Sequence, residues 1–122
     1  MFEVAHVGVV VADADKSLAF YTKVLDCQVE DMYQDERIRL IFIRSGQLTI
    51  ELIQYTADPA PTRNAGRVDH IAFFVNDLTA EIEKLRQHNI ILLFDQPRVV
   101  GNKKIMFFVG PDGERLEFVE KI

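Results

Sequence analysis

At 122 residues, 48% of them hydrophobic, with six glycines and four prolines, the chain is long enough to bury a core and has no disordered or collagen-like composition. A formal net charge of -5 argues against a nucleic-acid binder, which needs a basic stripe to displace counterions from phosphates. The single cysteine, Cys27, excludes an internal disulfide and fits a reducing cytoplasm. No segment approaches a membrane span or a signal peptide, so an unprocessed, soluble protein is expected.

Residues 4 to 11 alternate as a strand, with Val4, His6, Gly8 and Val10 on the sparser face and Ala5, Val7, Val9 and Val11 on the other. Asp13 then stands where a helix N-cap belongs. Ala14, Leu18, Tyr21 and Leu25 recur at helical spacing behind it. From Gln28 to Tyr55 the period becomes two, and breaks at Gln34-Asp35-Glu36 and Ser45-Gly46-Gln47 divide the segment into strands near 28–34, 37–45 and 47–55. Such short breaks favour antiparallel hairpins.

Residues 57–67, with Pro59, Pro61 and Gly66, have linker composition. Beyond them Val68-Asp69-His70-Ile71-Ala72-Phe73-Phe74-Val75-Asn76-Asp77 copies the opening strand, its histidine and its capping aspartate. Leu78, Ile82 and Leu85 each follow Ala14, Leu18 and Tyr21 by 64 residues, and further strands are expected near 90–96, 103–109 and 114–121. Gly110-Pro111-Asp112-Gly113 is a strong turn between the last two.

The chain therefore reads as two β-α-β-β-β modules, about 1–56 and 68–122, within a single α+β domain. The expected arrangement is a curved eight-stranded cup with helices outside. Strand patterning leaves open whether the halves of one chain close on each other or pair with those of a second chain.

The repeat extends to chemistry. The last strand of each half holds a glutamate between apolar neighbours, Glu51 and Glu117, lying 45 residues after His6 and 47 after His70. Taken singly, each glutamate reads as the solvent face of a half-exposed strand and each histidine as a hydrogen-bonded core or rim residue. Recurring together, His6, Glu51, His70 and Glu117 make a symmetrical set of two imidazoles and two carboxylates. Such a set suits one divalent ion such as Ni, Co, Zn, Mn or Fe.

These residues carry a resemblance to the vicinal oxygen chelate superfamily, which includes glyoxalase I, methylmalonyl-CoA epimerase, extradiol dioxygenases and the fosfomycin- and bleomycin-resistance proteins. The similar stretches are His6-Val7-Gly8-Val9-Val10-Val11, Ser17-Leu18-Ala19-Phe20-Tyr21, Val24-Leu25, Ile50-Glu51-Leu52, His70-Ile71-Ala72-Phe73, and Gly110 to Gly113 leading to Leu116-Glu117-Phe118. The resemblance implies paired modules around one metal, usually in a homodimer, with ligands at His6, Glu51, His70 and Glu117. It also implies that the ion binds a substrate oxygen and stabilises an enolate or enediolate while a carboxylate, Glu51 or Glu117, moves the proton.

The leading expectation is accordingly a metal-dependent lyase or isomerase similar to glyoxalase I, acting on a small molecule. The residues that hold glutathione carboxylates in bacterial glyoxalase I correspond to Val10 and Tyr55, which argues against glutathione as carrier. A methylmalonyl-CoA epimerase-like isomerase is the alternative. Those enzymes usually place glutamine at Glu51, yet their loop before the seventh strand resembles Pro97-Arg98 and Gly101-Asn102-Lys103-Lys104. Three-ligand dioxygenases and fosfomycin-type transferases fit less well, because Glu51 would fill a position they need open. A different class, a drug-sequestering protein of the bleomycin-resistance type, generally lacks the full ligand set.

Around such a site, Phe42, Tyr55, Phe74, Phe94, Met106 and Phe108 are candidate pocket walls, with ordinary core packing the competing reading. Arg39, Arg98, Lys103 and Lys104 are candidates for an anionic substrate tail or simply solvated charges. The stretch from Pro97 to Lys104 is expected to form a mobile cover.

Overall fold

A computed structural model describes residues 1–58, 64–111 and 113–122. Its elements run β1 (Val4–Val10), α1 (Ala14–Lys23), β2 (Gln28–Gln34), β3 (Ile38–Ser45), β4 (Leu48–Tyr55), β5 (Val68–Phe74), α2 (Leu78–Gln87), β6 (Arg98–Val100), β7 (Lys103–Val109) and β8 (Arg115–Lys121). The β-α-β-β-β order thus occurs twice. The chain divides into two compact units, His6–Asp69 and the combination of Met1–Ala5 with His70–Ile122.

In the unit His6–Asp69 the strands run in the order β2-β3-β4-β1. The β2–β3 and β3–β4 pairs are antiparallel hairpins, and β4 returns beside β1 in parallel. A parallel neighbour needs a long crossover, here supplied by α1 and the hairpins. Helix α1 begins because the Asp13 carboxylate accepts the Lys16 N–H at 3.1 Å, and Asp15 and Lys23 complement the helix dipole at its two ends. Its Ala14, Leu18 and Tyr21 pack against Ile41, Ile43 and Leu52, as their spacing predicts. Leu25 lies past the helix end and is exposed.

The second unit repeats the order as β5-β8-β7-β6, with β5 parallel to β8 and the remaining pairs antiparallel. Asp77 caps α2 as Asp13 caps α1, accepting the Ala80 N–H at 3.1 Å. Leu78 and Ile82 are buried with Met106, Phe108 and Phe118, and Leu85 packs at their edge. The opening residues join this unit rather than the first half of the chain. Glu3 accepts the Phe74 N–H at 2.9 Å, Phe2 meets Phe118 edge-on at 5.3 Å, and Ala5 packs with Ala72 and Val119.

Two expectations from the sequence are corrected. Residues 90–96 do not form a strand: Ile90, Leu92 and Phe94 point into the core while Ile91 and Leu93 are exposed, so the alternation is real, but the backbone makes only an isolated bridge from Leu92 to Phe108. The sixth strand lies later, at β6. The expected cover from Pro97 to Lys104 is consequently the β6–β7 hairpin, its Val100 paired with Lys103 across Gly101-Asn102. Gly101 takes a φ of 59°, the left-handed value that a two-residue hairpin loop asks of its first residue.

In the expected linker, Pro59 and Pro61 fall outside the described residues. Gly66 and Arg67 bond to Val10 at 2.6 and 2.9 Å. The Gly110 to Gly113 turn is closed by the Gly110 N–H donating to Glu114 at 2.9 Å, and Asp112 is likewise outside the described residues. No helix among the described residues is long and apolar enough to cross a membrane.

Because each N-cap carboxylate accepts an N–H of its helix's first turn, Asp13→Ala and Asp77→Ala should each cost about 1 kcal/mol. Calorimetry should then show each Tm lowered by roughly 3–6 °C, with the fold retained.

Candidate functional site

The parallel ladders decide which side chains meet. In the unit His6–Asp69, Gly8 lies beside Glu51 in the β1–β4 register, so His6, two residues earlier, shares the face of Glu51. With no side chain at Gly8, the imidazole can lean towards the carboxylate, and His6 Nε2 stands 3.4 Å from Glu51 Oε1. In the second unit Ala72 lies beside Glu117, and His70 Nε2 stands 3.1 Å from Glu117 Oε1. A small residue occupies the equivalent place in both ladders.

The antiparallel neighbour supplies the wall. Phe42 on β3 is opposite Glu51 and meets the His6 ring edge-on at 5.6 Å; Phe107 on β7 is opposite Glu117 and meets the His70 ring edge-on at 5.0 Å. Each unit therefore presents the same constellation of histidine, glutamate and phenylalanine on three adjacent strands. His6, Glu51, His70 and Glu117 retain only 3, 6, 4 and 4% of their exposure. A carboxylate so far from water is costly unless a positive partner or hydrogen bonds compensate it. A neighbouring imidazole or a metal cation meets that need, and histidine with glutamate in each unit is a residue combination able to contribute to holding an ion.

Of the expected pocket walls, Phe42 takes that role towards His6. Met106 and Phe108 do not face the His70–Glu117 pair; they lie in the core under α2. Phe107, between them, has the place they were given. Counting three strand residues outward from the Gly110 to Gly113 turn would have found it, since the hairpin register sets Phe107 opposite Glu117. Phe74 lies under the Lys121 ammonium at 4.7 Å, and Tyr55 is half-buried at the end of β4.

The candidate cations have separate fates. Arg39 pairs with Asp15 of α1 at 2.8 Å, and this guanidinium holds the Asp15 carboxyl below its ordinary range through a hydrogen bond and direct attraction. Arg98 stacks on Phe94 at 3.6 Å. Lys103 and Lys104 are half-buried on β7, opposite Lys121 and Glu120. Arg115, which sequence reasoning passed over, stacks on Phe107 at 4.2 Å, two residues before Glu117.

Comparison with known proteins gives this frame a family. Residues 3–118 match the model of the Glyoxalase/Bleomycin resistance protein/Dioxygenase superfamily. The chain is 33% identical over 122 residues to the uncharacterised protein YwbC of Bacillus subtilis, covering 95% of each chain. It is 25% identical to the mitochondrial methylmalonyl-CoA epimerase of Mus musculus over 87% of this chain and 64% of that protein. Among solved structures, methylmalonyl-CoA epimerase from Mycobacterium tuberculosis superposes with a TM-score of 0.86 at 23% identity, covering 98% of this chain and 87% of that one. That likeness shows the fold, the α+β arrangement of eight strands and two helices that the repeat led us to expect. The chain belongs to the Glyoxalase/Bleomycin resistance protein/Dioxygenase superfamily, the group its duplicated strand–helix frame resembles.

Proposed function

We propose that this protein is a metal-dependent isomerase or lyase that moves a proton at a carbon next to a substrate oxygen, with His6, Glu51, His70 and Glu117 as the ligands of one divalent ion. The observation that carries the reading is the buried His–Glu pair, present at equivalent ladder positions in both units at 3.4 and 3.1 Å. Two imidazoles and two carboxylates are the donor set of a borderline ion such as Ni, Co, Zn, Mn or Fe. When bound, the ion supplies Lewis-acid stabilisation of negative charge that builds on the substrate oxygen.

The chain's own residues do the rest. Glu117 or Glu51 is the carboxylate that takes the proton from carbon and returns it. Phe42 and Phe107 exclude water and hold the imidazole planes, which keeps each carboxylate aimed in one direction. Positioned proton transfer of this kind contributes about 10²- to 10⁴-fold to rate.

Two substrate classes fit this chemistry. A glyoxalase I-like lyase acts on hemithioacetals, and Val10 and Tyr55 argue against the glutathione adduct. The epimerase-like reading, on acyl-CoA esters, gains support from the methylmalonyl-CoA epimerases among the relatives, although Glu51 stands where such enzymes usually carry glutamine. We favour the acyl-CoA class. The protein is further proposed to work as a homodimer in the cytoplasm.

Chelator-treated protein should regain one tight site per chain when titrated with Ni, Co, Mn or Zn in a calorimeter. Absence of stoichiometric binding would remove the mechanism, and tight binding of an aromatic antibiotic by the same metal-free protein would favour sequestration instead. Glu117→Gln should lower turnover by about two to four orders of magnitude. Assayed beside Glu51→Gln for bound metal, the variant that keeps the ion and loses turnover identifies the base. In deuterated water, proton exchange followed by NMR should occur in acyl-CoA esters; exchange confined to hemithioacetals would return the lyase reading.

A further inference from the structure

We infer that Gln54 and Glu120 are positioning residues that fix the register of each His–Glu pair, an inference that rests on the metal-ligand reading of those pairs. Gln54 follows Glu51 by three residues on β4, and its Oε1 accepts the N–H of Ala14, the first residue of α1, at 2.8 Å. Glu120 follows Glu117 by three residues on β8, and its Oε1 accepts the N–H of Leu78, the first residue of α2, at 2.8 Å. The same strap is built twice, with one backbone bond beside it each time. Val11 N–H donates to Ile53 at 2.8 Å and Val75 N–H to Val119 at 2.9 Å.

What the strap controls follows from the ladder. The odd spacing puts Gln54 and Glu120 on the face opposite the glutamates, so they act through the strand and do not touch the site. Parallel strands have no tight turn between them to set their register. A slip of two residues between β1 and β4 would keep every side chain on its face, yet carry His6 about 6–7 Å along from Glu51. The strap opposes that slip because the helix start is held only a few residues beyond the histidine strand. Anchoring that start to the glutamate strand ties the two ends of the pair together.

Helix capping alone does not account for these bonds. The N-cap aspartates already accept N–H groups farther into the first turn, from Lys16 and Ala80. Glutamine and glutamate place an amide or carboxylate oxygen at equal reach, whereas a side chain one methylene shorter does not. Length matters here, and charge does not.

The test uses the full chain stripped of metal and titrated with Co(II), read by calorimetry and by the visible absorption of the bound ion. Glu120→Ala and Gln54→Ala should weaken Co(II) binding about 10- to 100-fold and alter the spectrum, the effect usual for groups that support a ligand from behind. Glu120→Gln should restore the parent affinity and spectrum. Asp77→Ala, which removes the ordinary cap of the same helix, should lose stability and leave Co(II) binding unchanged. Parent-like Co(II) binding by Glu120→Ala, or equal weakening by Asp77→Ala, would overturn the positioning role. If the parent itself binds no Co(II), the metal reading fails on its own. The register role is then read in metal-free protein, where the His70 imidazole NMR signals should shift in Glu120→Ala and stay in Asp77→Ala; unmoved signals in Glu120→Ala would overturn it.

Discussion

Burial of a glutamate carboxylate is the constraint on which the structure depends. Glu51 and Glu117 are removed from water by the strands around them, and an ionised carboxylate stranded there costs several kcal/mol. Each carboxylate accordingly has an imidazole within 3.4 Å. That contact in turn demands a small residue beside the glutamate, met by Gly8 in one ladder and Ala72 in the other. A phenylalanine then packs edge-on against each imidazole. Ring edges carry partial positive charge and faces partial negative, so an edge-on arrangement fixes the imidazole plane without offering a competing hydrogen bond.

The two constellations match although the chain distances do not. His70 follows His6 by 64 residues, Phe107 follows Phe42 by 65, and Glu117 follows Glu51 by 66. The extra residues fall in connections. One lies in the turn between the last two strands, where Arg44 pairs with Thr49 but the equivalent Val109 pairs with Arg115. An insertion there lengthens the loop and leaves the hairpin register intact, which keeps a phenylalanine opposite each glutamate. Register, set by backbone hydrogen bonds and by which face is buried, is the quantity the duplication preserves.

The same distinction explains what could be read from the sequence. His6, Glu51, His70 and Glu117 were legible because strand alternation and the helix spacing of Ala14, Leu18 and Tyr21 align the halves without any knowledge of contacts. The capping aspartates were legible because their effect is local. Phe107 was passed over because its importance comes from a cross-strand partner ten residues away, and Met106 and Phe108 are as apolar as it is. The misplaced sixth strand has a related cause: Ile90, Leu92 and Phe94 carry a genuine period of two, but a strand also needs a continued ladder, and this segment meets β7 only around Leu92 and Phe108, whereas β6 pairs with β7 over residues 103–105. The allegiance of Met1–Ala5 to the second repeat rests on contacts with Phe74 and Phe118, which no local pattern announces.

The repeats have kept their geometry and diverged in charge. Beside Glu117 on its strand face stands Arg115, its guanidinium over the Phe107 ring, while the position equivalent to Arg115 in the first unit is Thr49. Behind the pairs, glutamate at 120 answers glutamine at 54, adding a formal negative charge to the Asp77 cap at the start of α2 and none to Asp13 and Asp15 at the start of α1. Equal donor geometry suits the proposed shared task of holding an ion. Unequal surroundings suit a division of labour, because two carboxylates assume different acid–base roles only when their environments differ. For the proton shift proposed here, the symmetrical part of the frame serves binding and the asymmetrical part serves direction.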